Sequence, residues 1–178
     1  MRKTVVVMLI AAAFTAAETL WENPWGADQW QTWRTSSGDY YCQDDFVLNS
    51  NATIESFACW GMIEVDMVEP FYLALFTDNY GRPGARIWET TIYEYELTPA
   101  GDNYRIDMPL PEPLIIDTGI YWVEFYYTGF LWWWCAGADG NMYQDGVDTG
   151  YDAFFGVYGN YTPAVEETSW GAVKALNR

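Results

Sequence analysis

Apolar and polar residues alternate with a period of two along much of this chain. Residues 86–97 show the pattern well, because their tyrosine and leucine residues alternate with Glu94 and Glu96. Such alternation predicts a β-strand with one face buried and the other in water. Further runs of strand character, separated by turn residues, lie at residues 41–48, 53–65, 71–76, 104–108, 114–116, 119–127, 130–135 and 153–158.

The most apolar of these runs are residues 119–127 and 130–135, which only Thr128 and Gly129 separate. They predict a hairpin or a tight crossover at the centre of the fold. Residues 119–127 are apolar on both faces of the strand, apart from Glu124. The second apolar face is therefore either core or an aromatic surface kept for a ligand.

About eight strands at short intervals, with no helical period between them, predict an all-β protein. We expect a two-sheet antiparallel β-sandwich, jelly-roll-like in its connections, over residues 39–161. A Trp-rich arm at residues 18–38 precedes it, with its indoles either pinned to the sandwich or part of a binding surface. Residues 162–178 form a tail whose early acidic and late basic residues predict either a short docked helix or a flexible extension.

Residues 1–17 have the three regions of a secretory signal peptide. Two basic residues come first, residues 5–14 are apolar, and Ala16 and Ala17 supply a small-residue cleavage site. The apolar run is about half of the roughly 20 residues that a membrane-spanning helix needs. We therefore expect the mature chain to be secreted or at the cell surface, without insertion into a membrane.

The chain is strongly acidic, with 25 acidic and 8 basic residues. Removal of the two basic residues of the leader leaves six, so the mature chain carries a net charge of −19. Such a surface repels nucleic acid, which binds to basic patches. Because 19% of the residues are aromatic, the high charge does not indicate disorder.

Three cysteines are present, at Cys42, Cys59 and Cys135. In an oxidising compartment an odd number predicts one disulfide and one thiol, or no disulfide. Any pairing is open, and we favour Cys42 with Cys59 because they lie on adjacent predicted strands. The chain has no histidine, which excludes zinc sites of the Cys₂His₂ and Cys₃His types.

Several short motifs follow one another in a fixed order along most of the chain. They are Asp44-Asp45-Phe46-Val47-Leu48, then residues 52–61 with Phe57 and Trp60-Gly61, the turn Asp78-Asn79-Tyr80-Gly81-Arg82-Pro83-Gly84, the strand Gly119-Ile120-Tyr121-Trp122-Val123, and residues 152–159. The ordered set resembles a pattern of bacterial secreted β-sandwich proteins, and residues 169–178 resemble the ends of exported proteins from uncultured bacterial groups. The resemblance implies an extracellular or cell-surface domain, largely uncharacterised and not known for catalysis, and it supplies no catalytic residues.

Carboxylate chemistry is the catalytic chemistry that the composition leaves open. Without histidine or a Gly-x-Ser-x-Gly motif, hydrolases of the Ser-His and Cys-His types are excluded. A glycoside hydrolase needs two carboxylates, about 5–5.5 Å apart for retention or about 6.5–9.5 Å for inversion. Glu124 would be the general acid, with Glu94 or Glu96 as nucleophile. Alternatively, Glu124 points to solvent or pairs with Arg86 or Arg105.

A glycan-binding surface needs no such pairing. Aromatic side chains on a sheet face provide flat apolar surfaces for sugar rings, and polar side chains bind the hydroxyls. Because Trp132, Trp133 and Trp134 alternate between faces, we expect Trp133 to be exposed. The predicted ligand-binding residues are Trp133, Tyr121, Tyr127 and Glu124. The alternative is that all of these aromatic residues are core or interface residues.

A structural Ca²⁺ is the one cofactor that the sequence indicates as a candidate. Asp45 on the opening strand and Asp152 on the closing strand would be adjacent in a jelly roll. Residues 139–148 offer further oxygen ligands but lack the spacing of an EF-hand loop. Alternatively, Asp44 and Asp45 cap turns.

We therefore expect an exported, non-catalytic binding or adhesion module, with a glycan or another cell-surface component as its partner and a glycan as the leading ligand. One alternative is a small jelly-roll glycoside hydrolase that uses paired carboxylates. The other is a structural surface protein whose aromatic patches are protein–protein interfaces.

Overall fold

A computed structural model describes residues 17–23, 31–33, 41–63, 70–101, 103–127, 130–135 and 141–162. The predicted leader, except for its last residue, lies outside the described residues, as do most of the Trp-rich arm and the tail from residue 163. The strands in chain order are β1 (Glu18–Asn23), β2 (Gln31–Trp33), β3 (Cys42–Leu48), β4 (Ala52–Ile63), β5 (Phe71–Asp78), β6 (Pro83–Ile92), β7 (Glu96–Ala100), β8 (Asn103–Ile116), β9 (Gly119–Tyr126), β10 (Phe130–Cys135), β11 (Tyr143–Gln144), β12 (Val147–Asp148), β13 (Asp152–Ala153) and β14 (Phe155–Tyr161).

These strands form two antiparallel sheets that pack against each other, which confirms the predicted β-sandwich. The six-stranded sheet has the order β12-β11-β3-β9-β5-β6. The eight-stranded sheet runs β1-β14-β4-β10-β13, with β8 beside β4, β7 beside β8 and β2 beside β10. The described residues contain fourteen strands rather than about eight. The excess arises because several strands have only two or three residues and because residues 86–97 divide into β6 and β7.

The chain passes repeatedly from one sheet to the other. The connections β3 to β4, β4 to β5, β6 to β7 and β8 to β9 all cross between the sheets. The connection from β9 to β10 also crosses, since β9 pairs with β3 and β5 whereas β10 pairs with β4, β2 and β13. The prediction of a central hairpin is therefore wrong, and the alternative prediction of a tight crossover between the sheets is confirmed.

The core lies between the sheets and is dominated by aromatic rings. Val123 and Phe125 on the inner face of β9, and Tyr127 directly after this strand, are almost completely buried. Phe125 meets Trp132 of the opposite sheet with ring centroids 4.9 Å apart in an edge-to-face arrangement. Burial of each such side chain stabilises the fold by roughly 1.5–3 kcal/mol. The apolar residues on the inner face of β9 are therefore part of the core.

A buried carboxylate connects the opening and closing parts of the sandwich. Asp44 of β3 points inward and is 2% exposed. Its Oδ2 accepts a hydrogen bond from the Ala153 backbone N–H at 2.6 Å, and its Oδ1 accepts one from Asp45 N–H at 3.0 Å. Burial raises the pKa of Asp44 well above its ordinary value, and the nearby charges of Asp152 and Asp45 raise it further. We call this arrangement the Asp44–Ala153 contact.

The described start of the Trp-rich arm is a strand of the sandwich. β1 pairs with β14, and Leu20 is buried beneath it. Trp21 packs on Phe155 with ring centroids 4.4 Å apart. This indole is therefore held against the sandwich, as one of the two alternatives for the arm expects.

Candidate functional site

The outer face of the six-stranded sheet carries an open groove with a cavity volume of about 590 Å³. Tyr72 and Ala74 of β5 lie directly opposite Tyr126 and Glu124 of β9, so the four side chains share that face. Tyr41, which precedes β3, completes the set. We call the depression lined by these five residues the tyrosine groove.

Side-chain size explains why the groove forms at this position. Ala74 lies opposite Glu124 on one side and opposite Glu89 of β6 on the other. Ala74 places only a methyl group between two longer side chains, so a hollow remains on the outer face. The residues before and after Ala74 cannot fill this hollow, because successive side chains of a strand point to opposite faces of the sheet. Ala74 is therefore the floor of the tyrosine groove.

The three tyrosines form a continuous aromatic row. The rings of Tyr41 and Tyr126 are 6.1 Å apart and nearly parallel, at 24°. The rings of Tyr126 and Tyr72 are also 6.1 Å apart, at 57°. Tyr41 and Tyr72 are each 51% exposed. Partly exposed aromatic rings in a row offer apolar surfaces that suit the C–H face of a sugar ring.

Tyr41 is held in place by the turn between β11 and β12. Its backbone N–H donates to Asp145 Oδ1 at 3.0 Å, and Asp145 N–H donates to the Tyr41 carbonyl at 3.0 Å. Asp145 adopts a positive φ of 52°, followed by Gly146 at 78°, which suits a tight hairpin turn. Sequence reasoning missed Tyr41, although the Asp-Gly pair at this turn was a usable signal.

Glu124 is the polar centre of the groove. Its Oε2 accepts a hydrogen bond from Gln43 Nε2 at 2.8 Å, because Gln43 of β3 lies directly across from it. Burial raises the pKa of Glu124, while the Gln43 hydrogen bond and the charge of Arg86 counteract part of that rise. Glu124 therefore neither points freely to solvent nor pairs with Arg105, which instead binds Asp107 at 2.8 Å.

The carboxylates proposed as partners of Glu124 do not lie in the groove. Glu94 is exposed in the connection after β6 and lines a different depression with Pro109 and Pro111. Glu96 belongs to β7 of the opposite sheet. The carboxylate that shares the groove with Glu124 is Glu89, which binds Arg86 at 2.8 Å. The pairing of Glu124 with Glu94 or Glu96 is thus wrong.

Two of the predicted ligand-binding tyrosines lie on the inner face of β9. Tyr127 is 2% exposed and packs on Phe71 with ring centroids 4.9 Å apart. Tyr121 packs on Phe46 at 5.9 Å and donates from its hydroxyl to the Asp117 carbonyl at 3.1 Å. Neither lines the tyrosine groove.

Glu124 lies on the outer face of β9, and Tyr126, two residues further along the strand, lies on the same face. Glu124, a charged residue within an apolar strand, was a usable signal for the open face, but the tyrosines predicted as ligand-binding residues lie on the opposite face. The side chain of Trp133 lies outside the described part of the chain.

Only part of the outer face of β9 is open. Trp122 lies on the same face as Glu124 yet is fully buried. Tyr143 of β11 covers the Trp122 ring edge-to-face with ring centroids 5.4 Å apart, and the Trp122 Nε1–H donates to Asp78 Oδ1 at 3.0 Å. The outer face therefore has a closed part at Trp122 and an open part at the tyrosine groove.

The residues predicted to bind Ca²⁺ lie beside a second, smaller cleft with a volume of about 240 Å³. Asp45 and Asp152 both line it, and Asp152 Oδ1 accepts a hydrogen bond from Asn141 N–H at 3.2 Å. Within the described ranges, no group of three or more His, Cys, Asp or Glu side chains is arranged to hold a metal ion. Asp44 rather than Asp45 links β3 to β13, through a backbone hydrogen bond. Calcium binding stays a prediction.

The favoured disulfide is wrong, because Cys42 and Cys59 are not bonded to each other. They lie on β3 and β4, which belong to opposite sheets. Packed sheets are about 10 Å apart, whereas disulfide formation needs Cα atoms within about 7 Å. Both residues are fully buried, and burial raises the pKa of the Cys59 thiol well above its ordinary value.

No family model, curated protein or solved structure matches the chain. Among the described residues, no helix has the length and apolar character needed to cross a membrane.

Proposed function

We propose that this chain is an exported, non-catalytic binding module of the extracellular space or the cell surface, and that the tyrosine groove binds a glycan. The observation that carries the proposal is the row of Tyr41, Tyr126 and Tyr72 beside the hydrogen-bonded pair of Glu124 and Gln43. Export follows from the signal-peptide pattern at the start of the sequence.

The groove combines the two kinds of contact that sugars need. The tyrosine row removes the apolar face of a sugar ring from water, and the phenolic hydroxyls and the Glu124 carboxylate bind its hydroxyl groups. The groove is fixed before a ligand arrives, because its residues lie on paired strands and Tyr41 is bound to Asp145. Preorganisation reduces the entropy cost of binding.

Single substitutions in the row test the proposal. We expect Tyr126→Ala and Tyr72→Ala to weaken glycan binding at least about tenfold, equivalent to about 1.4 kcal/mol. The readout is a glycan array followed by titration calorimetry on the best glycan. Tyr80→Ala is the matched control, because Tyr80 is 98% exposed outside the groove. Equal affinities for the wild-type chain and the Tyr126→Ala variant on every bound glycan would contradict the proposal.

Glycoside hydrolysis is the second candidate, favoured by one observation. Glu124 and Glu89 share the groove, and burial raises the pKa of Glu124. A pair of carboxylates is the requirement for that reaction. Release of reducing sugar by the wild-type chain, lost in both Glu124→Gln and Glu89→Gln, would establish this function and replace the binding module.

A further inference from the structure

The charges that line the tyrosine groove leave a negative excess. Its charged groups are Arg86 and Glu89 of β6 and Glu124 of β9, with the tyrosines as the other titratable groups. Arg86 Nη1 binds Glu89 Oε2 at 2.8 Å, and both side chains are more than half exposed. The nearest polar partner of Glu124 is the neutral amide of Gln43. One carboxylate therefore remains in excess in the groove.

That carboxylate is positioned to accept hydrogen bonds from a ligand. The Gln43 amide fixes one carboxylate oxygen at 2.8 Å, and the neighbouring Ala74 is too short to cover the group. A hydroxyl and an ammonium group both donate to a carboxylate, but the charge-assisted bond of the ammonium is about twice as strong. Glu124 therefore favours a ligand with a positive charge beside its sugar ring.

The electrostatic field of the whole protein also favours a cationic ligand. The chain has a formal net charge of −17. A field of this sign raises the local concentration of cations and repels polyanions, more strongly at low salt. Uronate, sulfate and phosphate polymers are thus disfavoured, and cationic polymers are favoured.

The geometry of the tyrosines separates a cationic sugar from a quaternary ammonium ligand. Such ligands are recognised in aromatic cages that enclose the cation. The rings of Tyr41 and Tyr126 are 6.1 Å apart at 24°, so no cation fits between them. The row is a surface on which a ring lies, and the cation lies at its side, next to Glu124.

We propose that the tyrosine groove selects glycans with free amino groups, that is, glucosamine-type polymers whose amines are not acetylated. This inference rests on the proposed glycan-binding function. It adds that Glu124 determines the class of glycan, whereas the tyrosine row supplies binding that is common to neutral and cationic sugars.

The test compares three oligosaccharides of equal length by titration calorimetry with the full mature chain: a fully deacetylated glucosamine oligomer, its N-acetylated counterpart and an oligouronate. We expect the deacetylated oligomer to bind about tenfold more tightly than the acetylated one, a difference of about 1.4 kcal/mol, and the oligouronate to bind most weakly. Glu124→Gln is expected to abolish the preference, because the deacetylated oligomer loses about tenfold more affinity than the acetylated oligomer does. Glu112→Gln, which removes the same charge from an exposed position on β8, is expected to keep the preference.

The outcomes distinguish this inference from the function on which it rests. Equal affinities for the acetylated and deacetylated oligomers overturn the amino-sugar preference and leave glycan binding intact. A preference that survives Glu124→Gln, or that Glu112→Gln removes equally, shows attraction to overall charge and overturns the role of Glu124. Binding of no oligosaccharide by the wild-type chain overturns the proposed function itself.

Discussion

Replacement of Asp44 by alanine is expected to loosen the junction between the two sheets. The substitution removes the acceptor of two backbone N–H groups, those of Ala153 at 2.6 Å and Asp45 at 3.0 Å. Each buried donor left unsatisfied costs about 1–3 kcal/mol, and relief of the repulsion between Asp44 and Asp152 returns a part. We expect the free energy of unfolding to fall by about 2–4 kcal/mol for Asp44→Ala.

The pH dependence separates the charge of Asp44 from its hydrogen bonds. The folded pKa of Asp44 lies above the ordinary value of 3.8, so the folded chain holds this proton more tightly than the unfolded chain. The stabilisation is complete below pH 3.8 and is lost as the pH rises through the folded pKa. Asp44→Asn keeps an acceptor oxygen and cannot ionise, so its stability should decline less over this range.

Urea unfolding followed by tryptophan fluorescence, at several pH values from about 4 to 8, measures both effects. Asp117→Asn is the matched control, because the Asp117 side chain is exposed. A loss below about 0.5 kcal/mol in Asp44→Ala, the range of ordinary surface substitutions, would refute the importance of the Asp44–Ala153 contact. Parallel pH profiles of Asp44→Asn and the wild-type chain would refute the burial of an ionisable group there.

Three further substitutions test other parts of the structure. Trp122→Phe removes the hydrogen bond to Asp78 Oδ1 and part of a fully buried ring, so the free energy of unfolding should fall by about 1–3 kcal/mol in urea titrations. Gly159→Ala places a Cβ against the Thr53 carbonyl, and because backbone cannot move aside, thermal unfolding should show a loss of more than about 3 kcal/mol. Ala74→Leu fills the floor of the tyrosine groove, so calorimetry should show loss of glycan binding with an unchanged melting temperature.

Each of these expectations has a contrary result. A Trp122→Phe variant as stable as the wild-type chain would show that the outer cover of β9 contributes little. Gly146→Ala is the comparison for Gly159→Ala, because Gly146 has a φ of +78° and its Cβ would meet nothing within 4 Å, so that its loss of stability reports backbone strain without a clash. A loss in Gly159→Ala no larger than that in Gly146→Ala would contradict the clash with the Thr53 carbonyl. Full glycan affinity in Ala74→Leu would place the binding surface elsewhere.

The period-two pattern was sufficient to predict the sandwich, because alternation reports directly which residues face a core. It was not sufficient for the faces of β9, where both parities are apolar. Trp122 and Tyr127 are both buried, but Trp122 is covered from outside by Tyr143. Tyr143 follows a stretch of the sequence rich in Gly, Asp and Asn, and no periodicity in that stretch predicts that Tyr143 lies in the sheet.

The position of Glu94 and Glu96 was unpredictable for a related reason. Alternation is strict through residues 93–97, yet the chain leaves one sheet after Ile92 and enters the other at Glu96. When the chain crosses from one sheet to the other, apolar and polar residues can still alternate along the sequence. The residues on either side of the crossing nevertheless have different neighbouring strands. Tyr41 of the groove depends likewise on a contact with Asp145 that is 104 residues away in the sequence.

The tyrosine row takes its order from the strands that carry it. Tyr126 and Tyr72 are cross-strand partners on neighbouring strands, and Tyr41 adjoins the strand on the other side of β9. Neighbouring strands are about 4.8 Å apart, whereas the ring centroids are 6.1 Å apart, so the strands set the order of the rings and the side-chain rotamers set their spacing and tilt. The row therefore runs across the strands, and a glycan bound as we propose would lie across the sheet rather than along one strand.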